Sequence, residues 1–248
     1  MRFFVYYCLC VLLAIARTAV AAGPPADQDA MIAQSLAEML RDARTVVSNN
    51  QDLINNPDLG DKHLTGQVVL DQSVKRYQEA TGTDPTKLDP NSRQGRLLRA
   101  MMAAIVASTD ENQTTINEKG IGFKGFIPAV FGRLVSEHFN QLAKGDATLK
   151  VTAPPELVRN RKALPDAWEA GIIKTRLLDP KWPKGQAFSA VVDSDGHRAF
   201  RVMVPEYYPA SCLTCHGSPK GEMDITGYPK EGAKLGDLGG VISITLFH

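Results

Sequence analysis

This chain of 248 residues is short of cysteine, of aromatic residues and of net charge. Its formal charge at neutral pH is +1, and no block of Lys and Arg stands out. It therefore lacks the electrostatic footprint of a nucleic-acid-binding or polybasic membrane-surface protein. Removing the first 22 residues would take away Arg2 and Arg17 and no acid, which leaves the remainder just as close to neutral. Cysteine is limited to Cys8, Cys10, Cys212 and Cys215, too few for a disulfide-framed scaffold. Beyond the N-terminus no stretch approaches the roughly 20 apolar residues that span a bilayer. Signalling across a membrane by this chain alone is thereby excluded.

The one long uncharged apolar run is Phe3–Ile15, preceded by Arg2 and followed by Ala19-Val20-Ala21. A positive start, a short apolar stretch and a small-residue cleavage site predict a secretory signal over residues 1–22, cut after Ala21 or Ala22. The run is about half the length of a transmembrane helix, so an uncleaved anchor is the lesser alternative. Cys8 and Cys10 fall inside this segment, and no Gly or Ala precedes either of them as a lipoprotein signal requires. The expected location is the periplasm, and the mature chain then keeps only Cys212 and Cys215.

Those two thiols belong to Ser211-Cys212-Leu213-Thr214-Cys215-His216-Gly217. Cys-x-x-Cys-His is the attachment signature of a c-type haem. Two thiols on one helical turn can add to the two vinyl groups of one porphyrin, and the next histidine can ligate the iron from the same face. Cys212 and Cys215 are the expected covalent anchors and His216 the expected axial ligand. A thioredoxin-like dithiol belongs early in a βαβ unit, whereas this pair follows Pro205-Glu206-Tyr207-Tyr208-Pro209 late in the chain. A structural zinc site needs four ligands, and a periplasmic disulfide would leave His216 unexplained. The expected cofactor is one covalent haem c with its iron.

Around this motif the pattern changes once. Residues 23–118 read as a helical N-terminal region. Ile32, Leu36, Met39, Leu40, Ala43, Val46 and Val47 recur at helical spacing, and Asn55-Asn56-Pro57-Asp58 stops that helix. A second helix is expected over about Thr65–Thr81. A third, carrying Leu97/Leu98, Met101/Met102 and Ile105/Val106, follows Asp89-Pro90-Asn91-Ser92. These stripes are packing seams within one chain or between two copies, so a homodimer is conceivable. A Met from them is one candidate for the haem iron.

Residues 119–248 read as an α+β unit. Ala129–Leu142 is a helix after a glycine-rich loop, Ala147–Thr152 alternates as a strand, and Leu164–Leu177 is a short helix opened by Pro165. Phe188–Asp193 and His197–Val204 form a hairpin around Asp193-Ser194-Asp195-Gly196, and Gly239–Leu246 is a final strand. An antiparallel sheet with helices beside it is the expected architecture.

From Gly122 to Phe247, about half the chain, the sequence resembles the exported single-haem c-type domains with a PAS-like fold, a sensor-like family long catalogued as a domain of unknown function. The resemblance is carried by Phe126-Ile127-Pro128-Ala129, Arg159-Asn160, Pro165-Asp166-Ala167-Trp168-Glu169 and Ala199-Phe200-Arg201 before Pro205. It continues through the Cys-x-x-Cys-His-Gly run with Pro219 behind it and closes on Gly236-Asp237-Leu238-Gly239-Gly240-Val241-Ile242-Ser243. It implies a PAS-like antiparallel sheet with a helical N-terminal extension and the haem attached near the C-terminus. Two departures stand out. Arg161 replaces the proline that often follows Arg-Asn, and Phe123 and Phe126 stand where many members carry a cysteine that ligates the iron. Thiolate ligation is therefore excluded in the mature chain, and the sixth position is left to Met, His, water or nothing.

His63, His138, His197 and His248 are weak candidates for that position, as are Met203 and Met223 near the motif. Arg159, Arg161, Arg198 and Arg201 could pair with haem propionates, because a guanidinium grips a carboxylate through two hydrogen bonds. Arg201 is the best placed of the four, on a strand running toward the motif. Two functions follow: a sensor of a diatomic gas such as NO or CO, or of redox state, and a soluble electron-transfer cytochrome with a redox partner protein. A peroxidase-like enzyme would need a distal acid–base group that the sequence does not offer, so a non-catalytic protein is expected.

Overall fold

The computed structural model describes residues 25–248 apart from Asp195. The expected signal, with Cys8 and Cys10, lies outside the described residues. Helix α1 (Pro25–Asn49) forms because its apolar residues fall on one stripe. From Ile32 to Val47 the seven residues of that stripe are at most 2% exposed. The short α2 (Gln51–Ile54) ends just before Asn55-Asn56-Pro57, as the breaker sequence predicts.

The next two helices begin at side-chain caps. The Thr65 hydroxyl accepts the Val68 amide at 3.3 Å and opens α3 (Gly66–Thr81). That helix closes on Gly82 in the left-handed region, φ 71°, where a residue with a Cβ is strained. Ser92 accepts the Gly95 amide at 3.0 Å and opens α4 (Arg93–Asp110). Replacing Ser92 by Ala should lower stability by about 1 kcal/mol, seen as an earlier denaturant midpoint with unchanged slope. An unaltered midpoint would mean that the cap adds nothing here.

A short α5 (Gln113–Asn117) leads to the glycine-rich loop, and Pro128 begins α6 (Pro128–Leu142) at the position where a missing N–H costs nothing. Phe131, Val135 and Phe139, four residues apart, are fully buried. Phe126 from the loop meets Phe131 edge-on at 5.8 Å.

The sheet holds β1 (Ala147–Thr152), β2 (Phe188–Ser194), β3 (His197–Tyr207) and β4 (Leu238–Phe247) in the order β1-β4-β3-β2, antiparallel throughout. The α+β architecture and the antiparallel sheet agree with the sequence reading. One face of the sheet, with Phe200, Val202, Val204, Ile242, Ile244 and Leu246, joins α1, α3, α4 and α6 in a single continuous core. The N-terminal helices are therefore packed on the sheet instead of standing apart from it. Met101 and Met102 lie in this core, 0% and 8% exposed, and act as packing residues.

The other face carries a smaller cluster of Met203, Val241, Leu238, Ile173 and Leu177. It is covered by α7 (Ala167–Ile172), which continues as a π-helical turn over Ile173–Leu177. The helix expected from Leu164 starts at Ala167. Asp166 takes the cap position, accepting the Glu169 amide while the Glu169 carboxylate accepts the Asp166 amide.

Candidate functional site

Strand β3 ends in an irregularity: Glu206 pairs with Gly240 but Tyr207 pairs with Leu238, so Gly239 is the extra residue of a bulge. A Cβ on Gly239 would sit 2.5 Å from the Tyr208 ring, so glycine lets that ring lie flat on the strand. Tyr208 also stacks on the His216 imidazole, centroids 4.9 Å apart at 24°. Burial and the nearby Glu231 push the Tyr208 hydroxyl up to about 12, so it remains a neutral phenol.

Cys212 closes a 3-10 turn, Ala210–Cys212, and Cys215 and His216 lie on the one-turn helix α8 (Leu213–His216). A helix this short cannot satisfy its own carbonyls. The surroundings do so instead: Arg159 Nη2 donates to Cys215 O at 3.1 Å, Ala233 N to His216 O at 2.8 Å, and Gly232 N to Gly217 O at 3.1 Å. Gly217 is required because a Cβ there would lie 2.4 Å from the Leu213 carbonyl oxygen. The structure thus brings Cys212, Cys215 and His216 together on one turn.

Both thiols are unpaired and half-buried. Burial pushes each thiol up, with Arg44 pulling Cys212 down and Asp224 adding to the rise of Cys215. Arg44 donates to Glu206, which also faces Arg41 Nε at 3.6 Å. This ties the middle of α1 to the strand end just ahead of the motif. Among the described residues no group of three or more His, Cys, Asp or Glu side chains is placed to hold a metal ion.

The proximal surroundings come from the loop after the motif. A small hairpin, with Met223 bridged to Pro229 and the Asp224 N–H bonded to Tyr228 O at 2.8 Å, turns on the Asp224 carboxylate. That carboxylate accepts from the Thr226 amide and hydroxyl and from the Tyr228 amide. The hairpin delivers Glu231, whose Oε2 lies 2.8 Å from His216 Nδ1. Arg159, from the loop after β1, grips Glu231 through Nε (2.9 Å) and Nη2 (3.1 Å) and Asp224 through Nη1 (2.7 Å), over the Tyr228 ring. Burial opposes the charge of Asp224 and Glu231. The bonds from Thr226 and Arg159, and from Arg159 and His216 respectively, outweigh it and hold both carboxyls below their ordinary values.

Sequence reading missed Glu231, Asp224 and Tyr208. A ligating histidine calls for an acceptor on its second nitrogen, but Glu222, Asp224, Glu231 and Asp237 all follow the motif closely. Only the hairpin selects among them.

Other candidates are placed elsewhere. Arg201 is engaged on the outer sheet face, bonded to Asp166 Oδ2 (2.7 Å) and facing Glu169 Oε1 (3.2 Å), stacked on Trp168. Its alternation on β3 points it to the face opposite the helical core. Arg161 and Arg198 are exposed. His138 faces Glu111 at 3.0 Å, and the solvent-exposed His63 faces Asp61 at 3.2 Å. His248, a weak candidate for the sixth position, is paired to Asp29 at 2.7 Å. The His197 side chain lies outside the described residues. Met203 is fully buried in the outer-face cluster and Met223 is exposed.

These features define a class: an α+β domain with helices over an antiparallel sheet and one Cys-x-x-Cys-His turn held at the end of its two central strands, β3 and β4. The chain belongs to the Tll0287-like family, whose model matches residues 26–246, a sensor-like domain family of unknown function. The match includes the N-terminal helices, beyond the half of the chain that carried the resemblance. No curated protein and no solved structure matches the chain.

Proposed function

We propose that this protein is an exported, non-catalytic, single-haem c-type cytochrome of a PAS-like sensor domain, acting in the periplasm. Haem c is bound through Cys212 and Cys215, with His216 on the iron. The observation that carries this reading is the hydrogen bond between His216 Nδ1 and Glu231. It assigns the imidazole hydrogen to Nδ1 and leaves the lone pair of Nε2 for a metal, the arrangement metal-ligating histidines use. Two unpaired, half-buried thiols on the same turn fit the two thioether links. Exposed Met223, Ile225 and Tyr228 close by in the chain offer apolar contact to a porphyrin. Among the described residues no helix is long and apolar enough to cross a membrane, in keeping with an exported domain that acts through a partner.

When bound, the haem supplies an iron that can change oxidation state or take a small sixth ligand. The chain's own part is to hold the thiols on one turn, orient the imidazole by Tyr208 and Glu231, and link the site to α1 through Glu206, Arg41 and Arg44. Sensing of a diatomic gas or of redox state follows from an open sixth position, electron transfer from a strongly held one.

The full chain, matured in a host that attaches c-type haem, should give a reduced absorption spectrum that shifts on adding CO or NO. A low-spin spectrum indifferent to both gases would replace sensing with electron transfer. A chain without covalent haem would overturn the reading.

A further inference from the structure

We infer that Glu231 and Arg159 are positioning residues that jointly set the charge carried by the His216 imidazole, and through it the reduction potential of the site. This rests on the reading of His216 as the axial ligand. The Glu231 carboxylate is placed between two cationic or donating groups: His216 Nδ1 at 2.8 Å on one side and the Arg159 fork at 2.9 and 3.1 Å on the other. A carboxylate on the second ring nitrogen draws that hydrogen toward itself and makes the imidazole a more electron-rich ligand, which favours the oxidised iron. Arg159 opposes this. Its guanidinium cannot be deprotonated in proteins, and two parallel bonds to Glu231 draw off the charge that the carboxylate would otherwise give to the ring.

Arg159 is locked in this role from all sides. Asp224, whose side chain is fully buried, fixes Nη1 at 2.7 Å. The Cys215 carbonyl takes Nη2 at 3.1 Å, and the Tyr228 ring lies 5.3 Å from the guanidinium carbon. The Thr226 hydroxyl accepts from Nη1 at 3.3 Å, and the Tyr208 hydroxyl stands 3.5 Å from His216 Nδ1, too far to compete with the carboxylate at 2.8 Å. Glu231 and Arg159 therefore act on the ligand with opposite sign, which a purely structural role does not predict.

The test is the midpoint potential at fixed pH of the haem-loaded full chain, as wild type, Glu231→Gln, Arg159→Gln and Arg159→Lys. Glu231→Gln keeps the shape and loses the charge. It should raise the reduction equilibrium constant at least tenfold, about 59 mV for one electron. Arg159→Gln leaves the carboxylate uncompensated and should lower the potential. Arg159→Lys, which keeps the charge but not the fork, should fall between Arg159→Gln and wild type, and serves if the Gln variant does not fold. Potentials that stay put, or move in the same direction in the Glu231 and Arg159 variants, overturn the inference while leaving the haem assignment intact. A His216→Met variant with an unchanged spectrum would overturn the ligand reading and this inference with it. A wild-type chain without covalent haem would overturn both.

Discussion

Cys212→Ala combined with Cys215→Ala should abolish covalent haem completely while the chain still folds. The reason is stoichiometric. Each thioether of the proposed haem would use one thiol, the two thiols lie three residues apart across one turn, and the other cysteines, Cys8 and Cys10, belong to the expected signal. Both side chains are half-buried and take no part in the hydrophobic core, so their truncation leaves α1, α4, α6 and the sheet as they are. The measurement is a haem stain after denaturing electrophoresis, with far-ultraviolet circular dichroism to follow the fold. A stain that survives in the double variant would sink the assignment. Each single variant should keep one link.

Arg159→Leu should destabilise the protein by about 3 kcal/mol, the scale for removing one partner from a buried ion pair. Leucine keeps much of the apolar stem but strips four hydrogen-bond partners at once, the Thr226 hydroxyl at 3.3 Å from Nη1 among them. Asp224 is left as a fully buried carboxylate without its cation, Glu231 loses its fork, and the Cys215 carbonyl loses its donor. Measured by denaturant unfolding, a loss under about 1 kcal/mol would place this cluster among ordinary surface pairs.

The same cluster sets an acid limit. The Asp224 carboxyl is held well below its ordinary value despite burial, by Thr226 and Arg159. The folded chain therefore binds fewer protons there than the unfolded chain. Its contribution is fully present above the unfolded value of about 4 and is lost as pH falls below that toward the depressed folded value. In Arg159→Leu much of this depression is gone, so the wild-type advantage should be large near pH 7 and shrink at low pH.

Much of the fold is legible along the chain because it is written in short windows. Thr65 and Ser92 mark helix starts by their own hydroxyls, the Ile32-to-Val47 stripe needs only its spacing, and β1 alternates within six residues. The Cys-x-x-Cys-His turn is legible for the same reason, since its three reactive groups are neighbours in sequence. Arg201 shows where such reading stops. Its strand does run toward the motif, but alternation turns its side chain to the other face, onto Asp166 and Glu169.

By itself, then, the sequence determined the main helices, the hairpin, the final strand and the proximity of Cys212, Cys215 and His216 on one turn, all from short windows of the chain. Only the tertiary structure decided what stands behind His216. Arg159 and Glu231 are 72 residues apart, and Arg44 and Glu206 are 162 apart. Such pairs depend on how the sheet and the loop over the motif pack together in three dimensions. No local pattern distinguishes Glu231 from the other carboxylates of that loop, because the choice is made by the geometry of closure and not by the residue type.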